Sequence, residues 1–116
     1  MSPTSLGEVA VSPRVELLWW EGCPSTEKTH ALIREALAAE QLDPDGVELR
    51  EVETDAGAER ERFVGSPTVR VDGVEVAPAD GVPAGLTCRV YRLRDGRVSP
   101  TPDPQDIRDA IRRAAQ

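Results

Sequence analysis

The residues Val15-Glu16-Leu17-Leu18-Trp19-Trp20 form an apolar, β-prone run that breaks at Glu21-Gly22 and passes through Cys23-Pro24 into a stretch rich in Ala, Leu and Glu. A run of this kind over residues 14–20 suits a buried central strand. Gly22 turns the chain, Cys23 falls at or beside a helix N-cap, and Pro24 takes the first helical position, where its missing N–H costs nothing. Thr26, Thr29, Ile33, Ala36, Leu37 and Glu40 recur at helical spacing over residues 24–41, and Asp43-Pro44-Asp45-Gly46 stops the helix. Residues 47–52 alternate apolar and charged side chains, as a strand with one covered face does, and residues 55–62 are a short, highly charged helical segment. Together these make a β-α-β-α opening, which places the chain in the α/β class.

Residues 67–71 follow as a strand, Asp72-Gly73 is a two-residue hairpin signal, and residues 74–76 return antiparallel. Residues 77–86 hold two prolines and two glycines without periodicity and are expected to form a loop long enough to cover a site. An extra strand is expected over residues 87–93, ended by the Asp95-Gly96 turn. A last helix begins near Asp103, with Ile107, Ala110, Ile111 and Ala114 on one face. Residues 1–13, with two prolines and no periodicity, are expected to be a flexible N-terminal segment, which leaves residues 14–116 as one domain.

At 116 residues the chain is large enough for a single core to fold without disulfides or metal. Hydrophobic residues are 39% and charged residues 30% of the total, with a mean hydropathy of −0.40, the balance of a globular rather than a disordered or membrane-spanning chain. No apolar run approaches the roughly 20 residues that span a bilayer. The net charge of −7 and a pI near 4.7 argue against nucleic-acid binding, because affinity for phosphate depends on Lys and Arg neutralising it. No basic, apolar leader opens the sequence, so a cytoplasmic location is expected. Two cysteines, Cys23 and Cys88, are too few for a disulfide-stapled secreted scaffold.

The chemistry centres on Cys23. A thiol at a helix N-terminus lies beside unpaired backbone N–H groups and the positive end of the helix dipole, and both favour the thiolate, the nucleophilic and soft-metal-binding form. Its alternative is a small buried capping residue. Cys88 reads either as a buried core thiol or as the partner of Cys23, if the loop over residues 77–86 folds back across the helix N-terminus. A Cys23–Cys88 disulfide would close a loop of about 65 residues, stabilising the oxidised form by roughly 4 kcal/mol on loop-entropy grounds, and needs Cα atoms within about 7 Å. Trp19 and Trp20 face opposite sides of a strand, one into the core and the other shielding the thiol or meeting a partner. His30 lies roughly 10 Å along the helix from Cys23, too far for a base. Glu21 and Asp80 are expected to be solvated surface carboxylates, and the Arg89, Arg92, Arg94 and Arg97 group a solvated edge strand.

The element order, with a cysteine opening the first helix and a proline opening the third strand, resembles the thioredoxin-like superfamily over most of residues 14–116. The expected architecture is therefore a thioredoxin-like β-α-β-α-β-β-α fold with a mixed sheet and an inserted loop and strand segment before the last helix. The resemblance implies a cis Ser66–Pro67 bond packed against Cys23. Trp20, Gly22, Pro24, Thr26, Ser66 and Thr68 would line the site. Glu21-Gly22-Cys23-Pro24, Gly65-Ser66-Pro67-Thr68-Val69, Val71-Asp72-Gly73 and Gly85-Leu86-Thr87-Cys88-Arg89-Val90-Tyr91 look more narrowly like a group of small bacterial thioredoxin-like proteins, some labelled alkylmercury lyase-like. Thr26 stands where the second cysteine of a Cys-x-x-Cys pair would be, and Leu17 where thioredoxins bury a carboxylate, so neighbouring-turn dithiol exchange and its proton transfer are not expected.

These readings lead to a thiol-disulfide redox protein in which Cys23 attacks an oxidised substrate, either a small-molecule oxidant or a protein or small-molecule disulfide, and Cys88 resolves the intermediate. Pro67 completes the site, and no cofactor is needed. A second possibility is a protein that holds a soft metal such as Hg, Cu or Zn between the thiolates of Cys23 and Cys88, or an organomercurial lyase-like enzyme. A third is a non-catalytic interaction module with a contact face around Trp20 and Pro67. Oligomeric state is open at this level.

Overall fold

The computed structural model describes residues 12–115, an α/β protein of three helices and a mixed four-stranded sheet. The elements run β1 (Val15–Trp19), α1 (Thr26–Ala39), β2 (Val47–Glu51), α2 (Asp55–Glu61), β3 (Thr68–Val71), β4 (Val74–Glu75), β5 (Tyr91–Arg92), β6 (Val98–Ser99) and α3 (Pro104–Ala114). The sheet order is β2-β1-β3-β4, with β1 parallel to β2 and antiparallel to β3, so β1 is the central strand that its apolar sequence predicts. Residues 1–11 of the expected flexible segment lie outside the described residues; Pro13, within that segment, is buried.

Alternation along β1 divides the core in two. Val15 and Leu17 point to one face and pack with Ile33, Ala36 and Leu37 of α1, Val69 and Val71 of β3, and Ile107 and Ile111 of α3. Leu18 points to the other face and packs with Val52, Ala58 and Phe63, with Trp20, Ala84 and Leu86 at the margin. The second face is only partly apolar because α2 is short. Beyond it the sheet carries a charged network in which buried Glu16 meets Arg50 at 2.7 Å and Arg14 at 3.2 Å, and Arg50 also meets Glu61 at 2.6 Å. Glu16 is 3% exposed, a carboxylate that burial makes tolerable only with two guanidinium partners. Leu17 is fully buried and lies wholly in the apolar cluster.

Helix ends follow local chemistry more closely than composition. α1 starts at Thr26 with Ser25 as N-cap, two residues later than expected, so Cys23 and Pro24 occupy the turn before the helix rather than its cap and first turn. It ends at Ala39 because Gln41 takes a left-handed conformation (φ 62°) and the Leu42 and Gln41 N–H groups donate to the carbonyls of Leu37 and Ala38, a Schellman closure ahead of the Asp43-Pro44 segment. Thr54 caps α2 through its side chain, and Asp103 caps α3 with Pro104 in the first turn. Asp72 and Gly73 both have positive φ (51° and 82°), the geometry of a type I′ hairpin turn joining β3 to β4.

The principal departure lies between residues 87 and 99. The expected strand over residues 87–93 is reduced to a single parallel bridge between Cys88 and Ser66 and the two-residue strand β5, which pairs with the unanticipated β6 in a hairpin outside the main sheet. The prolines and glycines at 77–86 do form a loop, but Gly85 N–H donates to Phe63 O and Ala84 and Leu86 pack on the Leu18 cluster, which anchors the loop beside α2. Among the described residues no helix is long and apolar enough to cross a membrane.

Phe63 is fully buried in the smaller cluster, whereas Leu49 on β2 is half exposed. Phe63→Ala is expected to lower stability by about 3–5 kcal/mol in urea denaturation, and Leu49→Ala by about 0.5 kcal/mol or less.

Candidate active site

Cys23 follows a turn closed by its own N–H donating to Trp20 O at 3.0 Å. The turn needs Gly22, because a Cβ there would lie 2.4 Å from the Trp20 ring, which folds back over it. Neither tryptophan is fully buried where one was expected in the core; the ring of Trp20 packs at the margin of the Leu18 cluster and seats the turn, and the Trp20 backbone N–H donates to Ser66 Oγ at 3.1 Å. Pro24 is exposed, and Thr26 opens α1 with its Oγ1 buried and without a hydrogen-bond partner among the described residues.

Opposite this turn runs the Gly65-Ser66-Pro67-Thr68 segment, with a cis peptide bond between Ser66 and Pro67. Ser66 is fully buried and bonded through both backbone groups to the segment carrying Cys88: its N–H donates to Thr87 O at 2.7 Å, and its carbonyl accepts from Arg89 N–H at 2.8 Å. The same carbonyl accepts from Cys23 Sγ–H at 3.4 Å. Ser66 therefore links the two cysteines, which lie near each other as free thiols, Cys23 buried and Cys88 exposed.

Arg89 and Tyr91 lock this segment. The Arg89 guanidinium, 8% exposed, donates to Glu75 Oε1 at 2.9 Å, Ala77 O at 2.6 Å and Thr68 Oγ1 at 3.3 Å, and lies 4.5 Å from the Tyr91 ring centroid. Thr68 Oγ–H in turn donates to Gly65 O at 2.7 Å, and Tyr91 O–H donates to the Pro67 carbonyl. Burial raises the Tyr91 pKa strongly, so the phenol stays protonated and keeps this bond throughout the working pH range. The expectation that Arg89, Arg92, Arg94 and Arg97 form a solvated edge fails for Arg89, which is buried and paired. Arg94 binds Asp106 and Asp109 of α3, and Arg97 binds Asp95.

The two thiols differ electrically. Burial opposes charge on Cys23, but hydrogen bonds from Ser25 N–H, Ser66, Cys88 and the Ser25 side chain outweigh it and hold its pKa below that of an ordinary cysteine. Cys88 is pushed the other way, first by desolvation of its sulfur and then by the hydrogen bond to, and negative charge of, Cys23. Of the two, Cys23 loses its proton first, and its charge then holds the proton on Cys88.

No family model, curated protein or solved structure significantly matches this chain.

Of the residues expected at the site, Cys23, Ser66 and Cys88 converge directly, while Trp20, Gly22, Pro67 and Thr68 shape the turn and loop that hold them. Glu21 and Asp80 are exposed and His30 is half-buried on α1. Among the described residues no group of three or more His, Cys, Asp or Glu side chains is placed to hold a metal ion, so the thiols would bind one as a two-sulfur site. Sequence reasoning missed Gly65, Glu75, Arg89 and Tyr91. The available signal was strand alternation in Cys88-Arg89-Val90-Tyr91, which turns Arg89 and Tyr91 inward and leaves Cys88 and Val90 exposed.

Gly65 has φ +138°, and a Cβ there would lie 2.5 Å from Arg89 Cγ and 3.3 Å from its backbone N, whereas Gly73 (φ +82°) faces open space. Gly65→Ala is expected to cost about 3 kcal/mol or more from strain plus overpacking, and Gly73→Ala about 1–2 kcal/mol, both read by chemical denaturation. Ser66→Ala removes a hydrogen bond from the Cys23 thiolate, so its pKa should rise. In ultraviolet thiolate titrations of Cys88→Ser, which leaves Cys23 as the one titrating thiol, adding Ser66→Ala should move the midpoint to higher pH. Alkylation at a fixed pH below that midpoint should slow accordingly; an unchanged midpoint would remove Ser66 from thiolate stabilisation.

Proposed function

We propose that this chain is a thioredoxin-fold thiol-disulfide redox protein in which Cys23 is the nucleophile and Cys88 the resolving thiol. The observation that carries the reading is the Ser66–Cys88 bridge, which holds an exposed thiol beside a buried one whose pKa is lowered. The strand order, the cis bond at Ser66–Pro67 and the cysteine ahead of α1 support the thioredoxin-like assignment.

The narrow exposure of Cys23, 7%, suits a small oxidised substrate. With a hydroperoxide, the Cys23 thiolate attacks the terminal oxygen, the O–O bond breaks, and the departing alkoxide or hydroxide takes a proton. Cys23 is then a sulfenic acid. The Cys88 thiolate attacks the Cys23 sulfur, the S–O bond breaks, and the leaving hydroxide is protonated to water. The peroxide is reduced by two electrons and the two thiols are oxidised to a disulfide. With a small disulfide, Cys23 attacks one sulfur and releases one thiolate, and Cys88 then attacks Cys23 and releases the second. Thr26, in place of a second cysteine one turn along, leaves Cys88 as the resolving partner within the chain.

Mild peroxide is expected to remove two titratable thiols per chain while the protein stays monomeric on non-reducing gels, and Cys88→Ser should instead yield a Cys23 sulfenic acid or an intermolecular disulfide. Intact thiols, or intermolecular products from the wild type, would overturn the redox reading. Intact thiols together with uptake of one Hg(II) per chain that Cys23→Ser abolishes would make the pair a metal site.

A further inference from the structure

We propose that an external thiol reducing the oxidised protein attacks the sulfur of Cys88 rather than that of Cys23, so that the mixed disulfide with the partner thiol forms at Cys88. This rests on the redox reading above and assigns the sulfur through which the Cys23–Cys88 disulfide is handed on.

Access is the first argument. Cys23 is buried, and the strand edge beside it is closed, because both backbone groups of Ser66 are bonded to Thr87 and Arg89 of the same chain. A peptide thiol that would align by adding a strand there finds no free donor or acceptor. In a parallel bridge of this kind the backbone N–H and C=O of Cys88 itself point away from Ser66, and among the described residues they have no backbone partner. The open edge therefore belongs to Cys88. It borders a recess of about 200 Å³ lined by Val64, Ala79, Val82, Thr87 and Val90, in which Val82 is 47% and Val90 70% exposed. An incoming thiol thus meets Cys88 as part of the lining of a partly apolar recess, whereas Cys23 is buried and does not line it.

The leaving group points the same way. Attack at Cys88 expels the Cys23 thiolate, which Ser25 and Ser66 stabilise by hydrogen bonds; attack at Cys23 would expel Cys88, whose thiolate is disfavoured. Exchange runs faster when the departing thiol has the lower pKa and the attacked sulfur is accessible. The sequence is balanced. A partner thiolate forms an S–S bond to Cys88 as the Cys88–Cys23 bond breaks and the electron pair leaves on Cys23. A second partner thiolate then attacks the partner sulfur of the mixed disulfide and releases the Cys88 thiolate. Overall, one protein disulfide and two thiols give the protein dithiol and one partner disulfide.

The test begins with protein oxidised by peroxide and shown by peptide mapping to carry the Cys23–Cys88 disulfide; failure at that stage refutes the redox reading and not the choice of sulfur. Glutathione is then added, the reaction is acid-quenched over time, and the adduct is located by mass spectrometry. Glutathione on Cys88, in about tenfold or greater excess over Cys23, is the expected result. Adducts on Cys23, or equally on both, would overturn the proposal. Where neither adduct accumulates, the single-cysteine proteins decide: Cys23→Ser and Cys88→Ser are each converted to a mixed disulfide with cysteamine and treated with glutathione. Appearance of glutathione on the protein sulfur with release of cysteamine, the product of attack at that sulfur, about tenfold faster at Cys88 than at Cys23 supports the proposal, and equal or reversed rates refute it.

Discussion

The backbone of Ser66 is the junction on which the site depends. Its N–H and carbonyl bind the two residues flanking Cys88, and its carbonyl also receives the Cys23 thiol. Buried peptide groups must find partners, and here the partners are the chain segments that carry the two cysteines. The pairing is held from the far side by the Arg89 guanidinium, which reaches Glu75, Ala77 and Thr68 and stacks on Tyr91. A buried cation of this kind has few arrangements in which all its donors are satisfied, so it narrows the conformations open to residues 87–91. Gly65 completes the fit, since any side chain there would occupy the space of Arg89.

This junction also explains why two cysteines close in space differ so much. Cys23 is buried, its Sγ–H donates to the Ser66 carbonyl, and the neighbouring Ser25 and Ser66 groups hold its pKa down against the opposing effect of burial. Cys88 belongs to an irregular segment whose alternate side chains, Arg89 and Tyr91, are the ones turned inward. The same bridge that brings Cys88 close therefore leaves it exposed. In the proposed redox role this asymmetry divides the labour between the sulfurs: Cys23, with its lowered pKa, meets a small oxidant, and exposed Cys88 meets a larger thiol.

The sheet shows how the site is carried by an otherwise ordinary core. β1 delivers the chain to the Trp20–Cys23 turn between two apolar clusters, and β3 begins just beyond Pro67, so the two loops that meet at the site leave the same end of neighbouring antiparallel strands. α2 is too short to cover its face, and the Glu16, Arg50, Glu61 network takes over where apolar cover ends.

Much of this was legible in the chain. The strand at Val15–Trp19, the helix through Ile33 and Leu37, the Asp72-Gly73 hairpin and the capped last helix all follow from periodicity and turn chemistry, which act over a few residues. Cys23 stood out for the same local reason, and Ser66-Pro67-Thr68 through the resemblance to thioredoxin-like sequences. Within residues 87–99 the Asp95-Gly96 turn read correctly but the strand was drawn too long and β6 was missed, because strand propensity at Thr87-Cys88-Arg89-Val90-Tyr91 yields to contacts with Ser66, Glu75 and Pro67, distant in sequence. Arg89 looked like a surface charge because alternation along residues 88–91 places it on one face with Tyr91 but does not reveal Glu75, Ala77 and Thr68, the distant partners that let a guanidinium be buried. The sequence by itself determined the order of elements and the presence of a thiol ahead of the first helix. Only the tertiary structure decided that Cys88 stands beside it, and which of the two is exposed, because long-range pairing and burial are set by the whole packed chain.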